Sequence, residues 1–172
     1  ERKLMSGGQG AVWLAKRRGF QGERVAIKVS QQFEAREVEN LVAITQLSHP
    51  NLVKFVDFVE QQSALVMEYI EGISLRDHLK KDAGGSQQLG WIEVKTIMRG
   101  ILSGLACLHT MDRAMSHRDV KPDNVMIANT ARGDRDSDNI VLIDFGLSKR
   151  ADAGQTITKS ETFTGVSTVF QS

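Results

Sequence analysis

The apolar residues of this chain change their spacing once, near residues 68–72, and that change constrains the architecture more than any other feature. Before it they come in short segments punctuated by glycine. Ala11-Val12-Trp13-Leu14-Ala15 follows Gly7-Gly8-Gln9-Gly10, and Val25-Ala26-Ile27-Lys28-Val29 follows a turn near Gly19 and Gly22. Short apolar runs bounded by turn formers predict strands, here three antiparallel ones between Leu4 and Val29. Val38, Leu41, Val42, Ile44 and Leu47 then recur at helical spacing, and His49-Pro50-Asn51 ends the helix they predict. Two further strands are expected over 52–59 and 64–69, across the polar turn Glu60-Gln61-Gln62-Ser63.

Past the change the pattern is helical. Ser74 and Asp77 have the spacing of a capping box. Residues 82–90 are rich in Gly, Ser and Gln and read as a loop. Val94, Ile97, Met98, Ile101, Leu102, Leu105 and Leu108 then trace one apolar stripe, predicting a long helix largely buried on one side. Two short strands, 125–128 and 140–143, flank the polar stretch 129–139. No segment repeats at a fixed period. The expected fold class is therefore α+β, with five strands and one helix preceding a mainly helical part.

Composition excludes several partners. A chain of 172 residues suffices for one ordinary domain that buries about two thirds of its unfolded surface. Its 22 Lys plus Arg nearly balance 21 Asp plus Glu, so no single-sign field points to nucleic acid or an anionic membrane. The longest apolar runs are four or five residues, against the roughly 20 that span a bilayer. The single cysteine, Cys107, cannot form an internal disulfide, and no Cys/His cluster has zinc-ligand spacing, which fits a reducing compartment. Glu1 to Met5 lack both an initiator Met at position 1 and the apolar core of a signal peptide, so the chain is read as beginning inside a longer protein.

Four separated motifs share a phosphoryl-transfer rationale. Gly7-Gly8-Gln9-Gly10-Ala11-Val12 lies between strands, where glycines let backbone amides approach phosphate oxygens; alone it is a common kind of hairpin. Val25-Ala26-Ile27-Lys28 places one lysine in an apolar strand, where an ammonium needs an anion or a path to water. His117-Arg118-Asp119-Val120-Lys121-Pro122-Asp123-Asn124 packs a base, two cations and an amide of the kind that binds metal into eight residues. Pro122 and Asp123-Asn124 alone would be ordinary turn formers. Asp144-Phe145-Gly146 brings a carboxylate to the end of the apolar strand Ile140-Val141-Leu142-Ile143. Density and order of the four motifs together argue for a site.

In that order and at those intervals the chain resembles the protein kinase family: a Gly-rich hairpin, V-A-I-K, H-R-D-x-K-P-x-N and D-F-G. His49-Pro50-Asn51-Leu52-Val53 and Leu65-Val66-Met67-Glu68-Tyr69 resemble the family's segments before and at the hinge between lobes. The resemblance implies a protein-kinase-like bilobal fold: an N-lobe over 1–67 with a five-stranded antiparallel sheet and one helix, a hinge over 68–72, and the start of a mainly helical C-lobe over 73–172. It implies ATP and Mg2+, with Lys28 on the α- and β-phosphates, Asn124 and Asp144 as metal ligands, Asp119 orienting the substrate hydroxyl and accepting its proton, and Lys121 steadying the transferred phosphate. Gly7, Gly8 and Gly10 would cover the phosphates; Val12, Ala26 and Met126 would sandwich adenine, with Met67 as gatekeeper. Backbone groups of Glu68 and Ile70 would face the adenine edge, and Ser74 a ribose hydroxyl. His117 and Phe145 would join an internal apolar spine with Leu41 and Phe55. Lys121 resembles the serine/threonine branch, which implies a protein substrate with a Ser/Thr acceptor.

The chain departs from the family in several places. Met5 stands where the first glycine of the Gly-rich pattern belongs. The helix glutamate expected to pair with Lys28 lies close in sequence, Glu37 being preferred over Glu39 because it shares a helical face with Leu41 and Ile44; both also read as surface carboxylates. Residues 131–138 lengthen the connection between Asn124 and Asp144 and are read as a surface hairpin, and the Arg132-Gly133-Asp134 within it as a chance tripeptide. Cys107 is expected to be a buried small hydrophobe, and His49, His78 and His109 structural or surface residues. Residues 162–172 resemble the approach to an A-P-E motif, so the chain is expected to be a fragment, inactive by itself. Thr156, Thr158, Ser160, Thr162, Thr164, Ser167 and Thr168 offer phosphate acceptors that Arg118 would grip.

These expectations favour a cytoplasmic Ser/Thr kinase domain, with a membrane-anchored parent left open. A pseudokinase-like module that binds nucleotide or partners without turnover is the alternative. Small-molecule phosphotransferases of related fold are disfavoured because their loop reads H-G-D where this one has His117-Arg118-Asp119.

Overall fold

The computed structural model describes residues 2–7, 10–17, 22–30, 35–82, 89–145 and 148–150, without the side chains of 5–7, 35–37, 81–82 and 149–150. Two compact units emerge, one formed by Glu1–Ser48 with Val53–Ile70 and the other by His49–Leu52 with Glu71–Ser172.

In the first unit, strands β1 (Arg2–Gly7), β2 (Gly10–Lys16) and β3 (Arg24–Val29) precede helix α1 (Ala35–Gln46), and β4 (Phe55–Val59) and β5 (Ala64–Glu68) follow it. They form one antiparallel sheet of order β1-β2-β3-β5-β4, so the five strands and single helix read from the sequence are all present. The helix buries Leu41 and Ile44, whereas Val42 and Leu47 from the same predicted stripe are exposed. Thr45 Oγ1 accepts the backbone N–H of Phe55 at 2.7 Å, tying the last turn of the helix to the start of β4. The fourth strand begins three residues later than expected. Leu52 pairs instead with Leu142 of the second unit, and the Leu142 N–H donates to the Asn51 carbonyl at 2.9 Å.

The second unit opens with β6 (Gly72–Ser74), a strand the helical pattern concealed, followed by α2 (Leu75–Asp82) and α3 (Trp91–His109). The capping expectation holds in modified form. Ser74 Oγ accepts the Asp77 N–H at 3.0 Å while donating its own proton to Asp77 Oδ2 at 2.8 Å. Strands β7 (Met115–Ser116), β8 (Val125–Ala128), β9 (Ile140–Leu142) and β10 (Lys149–Arg150) complete two small sheets, of order β6-β8-β9 and β10-β7.

Helix α3 corrects the predicted stripe. Its buried line is Ile97, Gly100, Ile101, Gly104 and Leu108, while Met98 and Leu102 are 47% and 57% exposed. The glycines decide the rotation. A Cβ on Gly100 would stand 2.5 Å from Ile140 Cβ and 2.6 Å from the Ser137 carbonyl oxygen, so β9 and the turn before it lie against bare helix backbone. Cys107 is half-buried, on the flank of this line rather than in the core.

The predicted surface hairpin over 131–138 also needs correction, because no strand forms there. A 3-10 turn, Asp136–Asn139, closes the loop, and Asp138 is buried rather than solvated. Its Oδ2 accepts the Arg135 N–H at 3.2 Å, and Arg132 Nε reaches back to the Pro50 carbonyl at 2.9 Å. The neighbouring Asn51 side chain donates to the carbonyls of Ser137 and Ile140, at 2.6 and 2.7 Å. Residues 49–52 are thereby bound into the second unit by polar contacts that satisfy buried backbone.

Candidate active site

Register puts the expected nucleotide residues of the first unit together. Val12 lies opposite Lys28, Lys28 opposite Leu65, and Ala26 opposite both Leu14 and Met67. Residues directly opposite each other, or two apart along one strand, project to the same side of a sheet. Val12, Ala26, Lys28 and Met67 therefore share one face. Gly10 has φ of 113°, and a Cβ there would stand 2.1 Å from the Val29 carbonyl oxygen, so only glycine fits the entry to β2. Gly7 ends β1 opposite Gly10, and Gly8 lies outside the described residues. Glu37 falls within α1 with its side chain outside the description, while Glu39 is exposed. The Glu68 N–H donates to the Lys54 carbonyl at 3.0 Å, and Ile70 is buried.

The second unit assembles its part of the site on the β8–β9 pair. Val125 opposes Leu142, so Asn124, just before β8, and Ile143 and Asp144, just after β9, occupy the same end of the two strands. The Ile143 N–H donates to the Asn124 carbonyl at 3.0 Å. Ser74 opposes Met126, which brings the start of α2 alongside; the Ser74 hydroxyl is engaged in its own helix cap.

His117 is the buried hinge-pin of the loop. Its Nε2 lies 3.2 Å from the Ile143 carbonyl and its Nδ1 accepts the Asp119 N–H at 3.4 Å, which together require the neutral tautomer protonated on Nε2. Burial holds its pKa below the ordinary value, so the ring is neutral near pH 7. Its centroid is 4.7 Å from that of Phe145, itself buried, and this pair is the described core of the expected spine in this unit. Ser148 Oγ donates to the His117 carbonyl at 3.2 Å, and the Ser148 N–H donates to the Phe145 carbonyl at 3.0 Å. Sequence reasoning missed this serine because it belongs to no motif.

Between buried His117 and half-buried Asp119 stands Arg118 at φ 67°, and Asp144 adopts φ 62°. Left-handed backbone at non-glycine residues costs on the order of 1 kcal/mol or more and clusters at functional sites. Here it falls just before Asp119 and at Asp144.

Among the described residues, donors reach Asp119 through one carboxylate oxygen. Lys121 Nζ and Asn124 Nδ2 each donate to its Oδ2 at 2.8 Å, and Asn124 Nδ2 also reaches the Asp119 carbonyl at 2.9 Å. Among the described residues no donor reaches Asp119 Oδ1. The carboxylate raises the Lys121 pKa, chiefly through that hydrogen bond, so the ammonium stays charged. Because Asn124 spends its NH2 group on Asp119, its side-chain oxygen is the atom left for a cation. That oxygen and the Asp144 carboxylate are hard donors of the kind Mg2+ takes, and Mg2+ needs only one or two carboxylates when phosphates and water complete its shell. The donor set fits the metal. Among the described residues no group of three or more His, Cys, Asp or Glu side chains forms a separate metal cluster.

A second residue outside the motifs reaches this loop. Arg76, in the first turn of α2, donates from Nε and Nη2 to Asp123 Oδ2 at 3.2 and 3.0 Å. That contact lowers the Asp123 pKa and raises that of Arg76. Elsewhere His78 and Glu93 join α2 to α3 at 2.6 Å, and His49 contacts Ser103 and the Asn51 N–H, in keeping with their expected structural roles.

One unit carries Lys28 on a sheet face with Val12, Ala26 and Met67, and the other presents an aspartate held by lysine and asparagine, residue types suited to phosphoryl transfer. The family model for the protein kinase domain matches residues 1–168. The chain is 36% identical over 161 residues to the serine/threonine-protein kinase pkn2 of Myxococcus xanthus, covering 86% of this chain and 18% of that protein. It is 36% identical over 163 residues to a probable LRR receptor-like serine/threonine-protein kinase of Arabidopsis thaliana, covering 90% and 15%. Against the human myosin light chain kinase family member 4 it is 33% identical over 127 residues, covering 72% and 30%. The chain belongs to the protein kinase family. It spans less than a third of the length of these curated relatives. No helix among the described residues is long and apolar enough to cross a membrane.

Proposed function

We propose that this chain is the nucleotide-binding and catalytic part of a Ser/Thr protein kinase that transfers the γ-phosphate of ATP to a protein hydroxyl. The observation that carries the reading is the Asp119 carboxylate, fixed through Oδ2 by Lys121 and Asn124, with no donor to Oδ1 among the described residues. An acceptor hydroxyl donating to Oδ1 is oriented for in-line attack, and Asp119 takes its proton as the new P–O bond forms. Lys121, 2.8 Å from Asp119, carries a fixed positive charge that balances charge building on the transferred group.

In the first unit, Lys28 contacts the α- and β-phosphates, Gly7, Gly8 and Gly10 offer backbone amides, and Val12, Ala26 and Met67 offer adenine an apolar face. Backbone groups of Glu68 and Ile70 meet its edge. In the second unit, Met126 contacts the base and Ser74 the ribose, while Asn124 and Asp144 hold Mg2+, which when bound neutralises the β- and γ-phosphate oxygens. Glu37 is assigned as the partner that orients Lys28. The acceptor is Ser or Thr because Lys121 follows Asp119 by two residues in the pattern of that branch, and the named relatives are serine/threonine kinases.

The test is phosphate transfer from labelled ATP to a generic Ser/Thr protein substrate by the full-length protein, wild type against Asp119→Asn. Loss of a proton acceptor of this kind lowers turnover at least about a hundredfold. Equal rates would overturn the reading, and nucleotide binding with no transfer by the wild type would establish the pseudokinase alternative.

A further inference from the structure

The Lys121 pKa is raised chiefly by its hydrogen bond to Asp119, with the charges of Asp144 and Asp123 adding in the same direction. Its Nζ is 2.8 Å from Asp119, and the position two residues after it in the chain carries Asp123. An ammonium on a flexible four-carbon stem goes to whichever carboxylate is least compensated. Asp123 is not left uncompensated. The Arg76 guanidinium lies against it, with Nε 3.4 Å from Oδ1 and 3.2 Å from Oδ2, and Nη2 3.0 Å from Oδ2. The helix that brings Arg76 there begins right after Ser74, which is paired with Met126 two residues beyond Asn124, so the geometry follows from the β6–β8 register. Planar, forked donors suit a carboxylate in this way.

We infer that Arg76 is a positioning residue for phosphoryl transfer: by occupying Asp123 it removes the competing anion and keeps the Lys121 ammonium on Asp119. The pair is 41% and 42% exposed, so its worth as a surface ion pair is small. Its value lies in the choice of partner it imposes on Lys121, whose ammonium serves the reaction only beside Asp119. The inference rests on the proposed reading of Asp119 and Lys121.

The experiment uses the full-length protein with ATP and a Ser/Thr protein substrate, comparing wild type, Arg76→Met, Arg76→Met/Asp123→Asn and Asp119→Asn. Methionine keeps an unbranched apolar stem and suits a helix interior. Arg76→Met should lower kcat roughly three- to tenfold with KM for ATP unchanged within twofold, since only a fraction of molecules keeps Lys121 in place. Removing the competing charge in Arg76→Met/Asp123→Asn should return kcat to within twofold of wild type. A wild-type kcat in Arg76→Met overturns the inference. So does a double variant as impaired as the single one, or loss of folded protein in both variants alike, because a merely structural tie is not rescued by deleting its second partner. If Asp119→Asn transfers phosphate at the wild-type rate, the reading of the site itself falls; if it is inactive while Arg76→Met is normal, only the role of Arg76 falls.

Discussion

Gly100 gives the sharpest test of how the long helix supports the site, because two familiar effects predict opposite signs there. Alanine in place of glycine in a helix interior is favourable by about 1 kcal/mol on helix propensity. Packing opposes it. A Cβ at residue 100 would lie 2.5 Å from Ile140 Cβ, 2.6 Å from the Ser137 oxygen and 3.0 Å from Ile140 Cγ1, so a backbone carbonyl and a buried strand residue both have to move. Overpacking of this kind costs about 1–3 kcal/mol. The Ser137 carbonyl accepts from Asn51 Nδ2 at 2.6 Å, and disturbing that bond adds about 1 kcal/mol. With the propensity gain deducted, Gly100→Ala should destabilise by about 1–3 kcal/mol. For a domain of this size each kcal/mol lowers Tm by about 2–4 °C. Gly104 is the internal control: its nearest atoms to a new Cβ stand at 3.1–3.2 Å, two of them leucine methyls that can give, so Gly104→Ala should be near neutral. Calorimetry of the full-length protein and both variants decides the matter. A Tm for Gly100→Ala at or above wild type would refute the close contact between α3 and β9.

Acid should weaken the second unit through its histidines. Burial holds His117 and His49 below the ordinary value of 6.5, so the unfolded chain binds protons that the folded rings refuse. Their contribution is complete above pH 6.5 and is lost as pH falls from there through the folded values. Chemical denaturation at pH 7.5, 6.5 and 5.5 should show stability dropping, and His117→Asn should flatten the slope; an unchanged slope would remove His117 from the account. Lys28→Met keeps most of the side-chain volume and removes the phosphate contact, so transfer should collapse while Tm stays within a few degrees, and comparable rates would unseat Lys28. Regulation through the acceptors from Thr156 to Thr168, which lie outside the described residues, predicts phosphate there in active protein; mass spectrometry that finds none between 147 and 172 would exclude that route.

Much of the molecule was legible from local pattern. Five strands and α1 follow from short apolar runs and helical spacing, both properties of neighbouring residues. Lys28, Asp119, Asn124 and Asp144 stood out because motifs compress chemistry into a few positions. Period alone, however, says that a helix has an apolar face and not which part of it meets a neighbour. In α3 that was decided by Gly100 and Gly104, which let β9 and Asn51 approach, and so turned Met98 and Leu102 outward. The polar ties escaped for a related reason. Asn51 meets Ile140 across 89 residues and Arg76 meets Asp123 across 47, separations over which sequence spacing carries no information. Leu52 reads as a strand residue, yet it bridges to Leu142 of β9, with the Leu142 N–H donating to the neighbouring Asn51 carbonyl, because β-pairing depends on which edge is within reach. The left-handed backbone at Arg118 and Asp144 likewise adjoins a tertiary contact, the buried His117 and Phe145 rings whose centroids lie 4.7 Å apart. Residue types and order determined the chemistry this chain can attempt, and only the packing of distant segments decided which side chains hold its carboxylates in place.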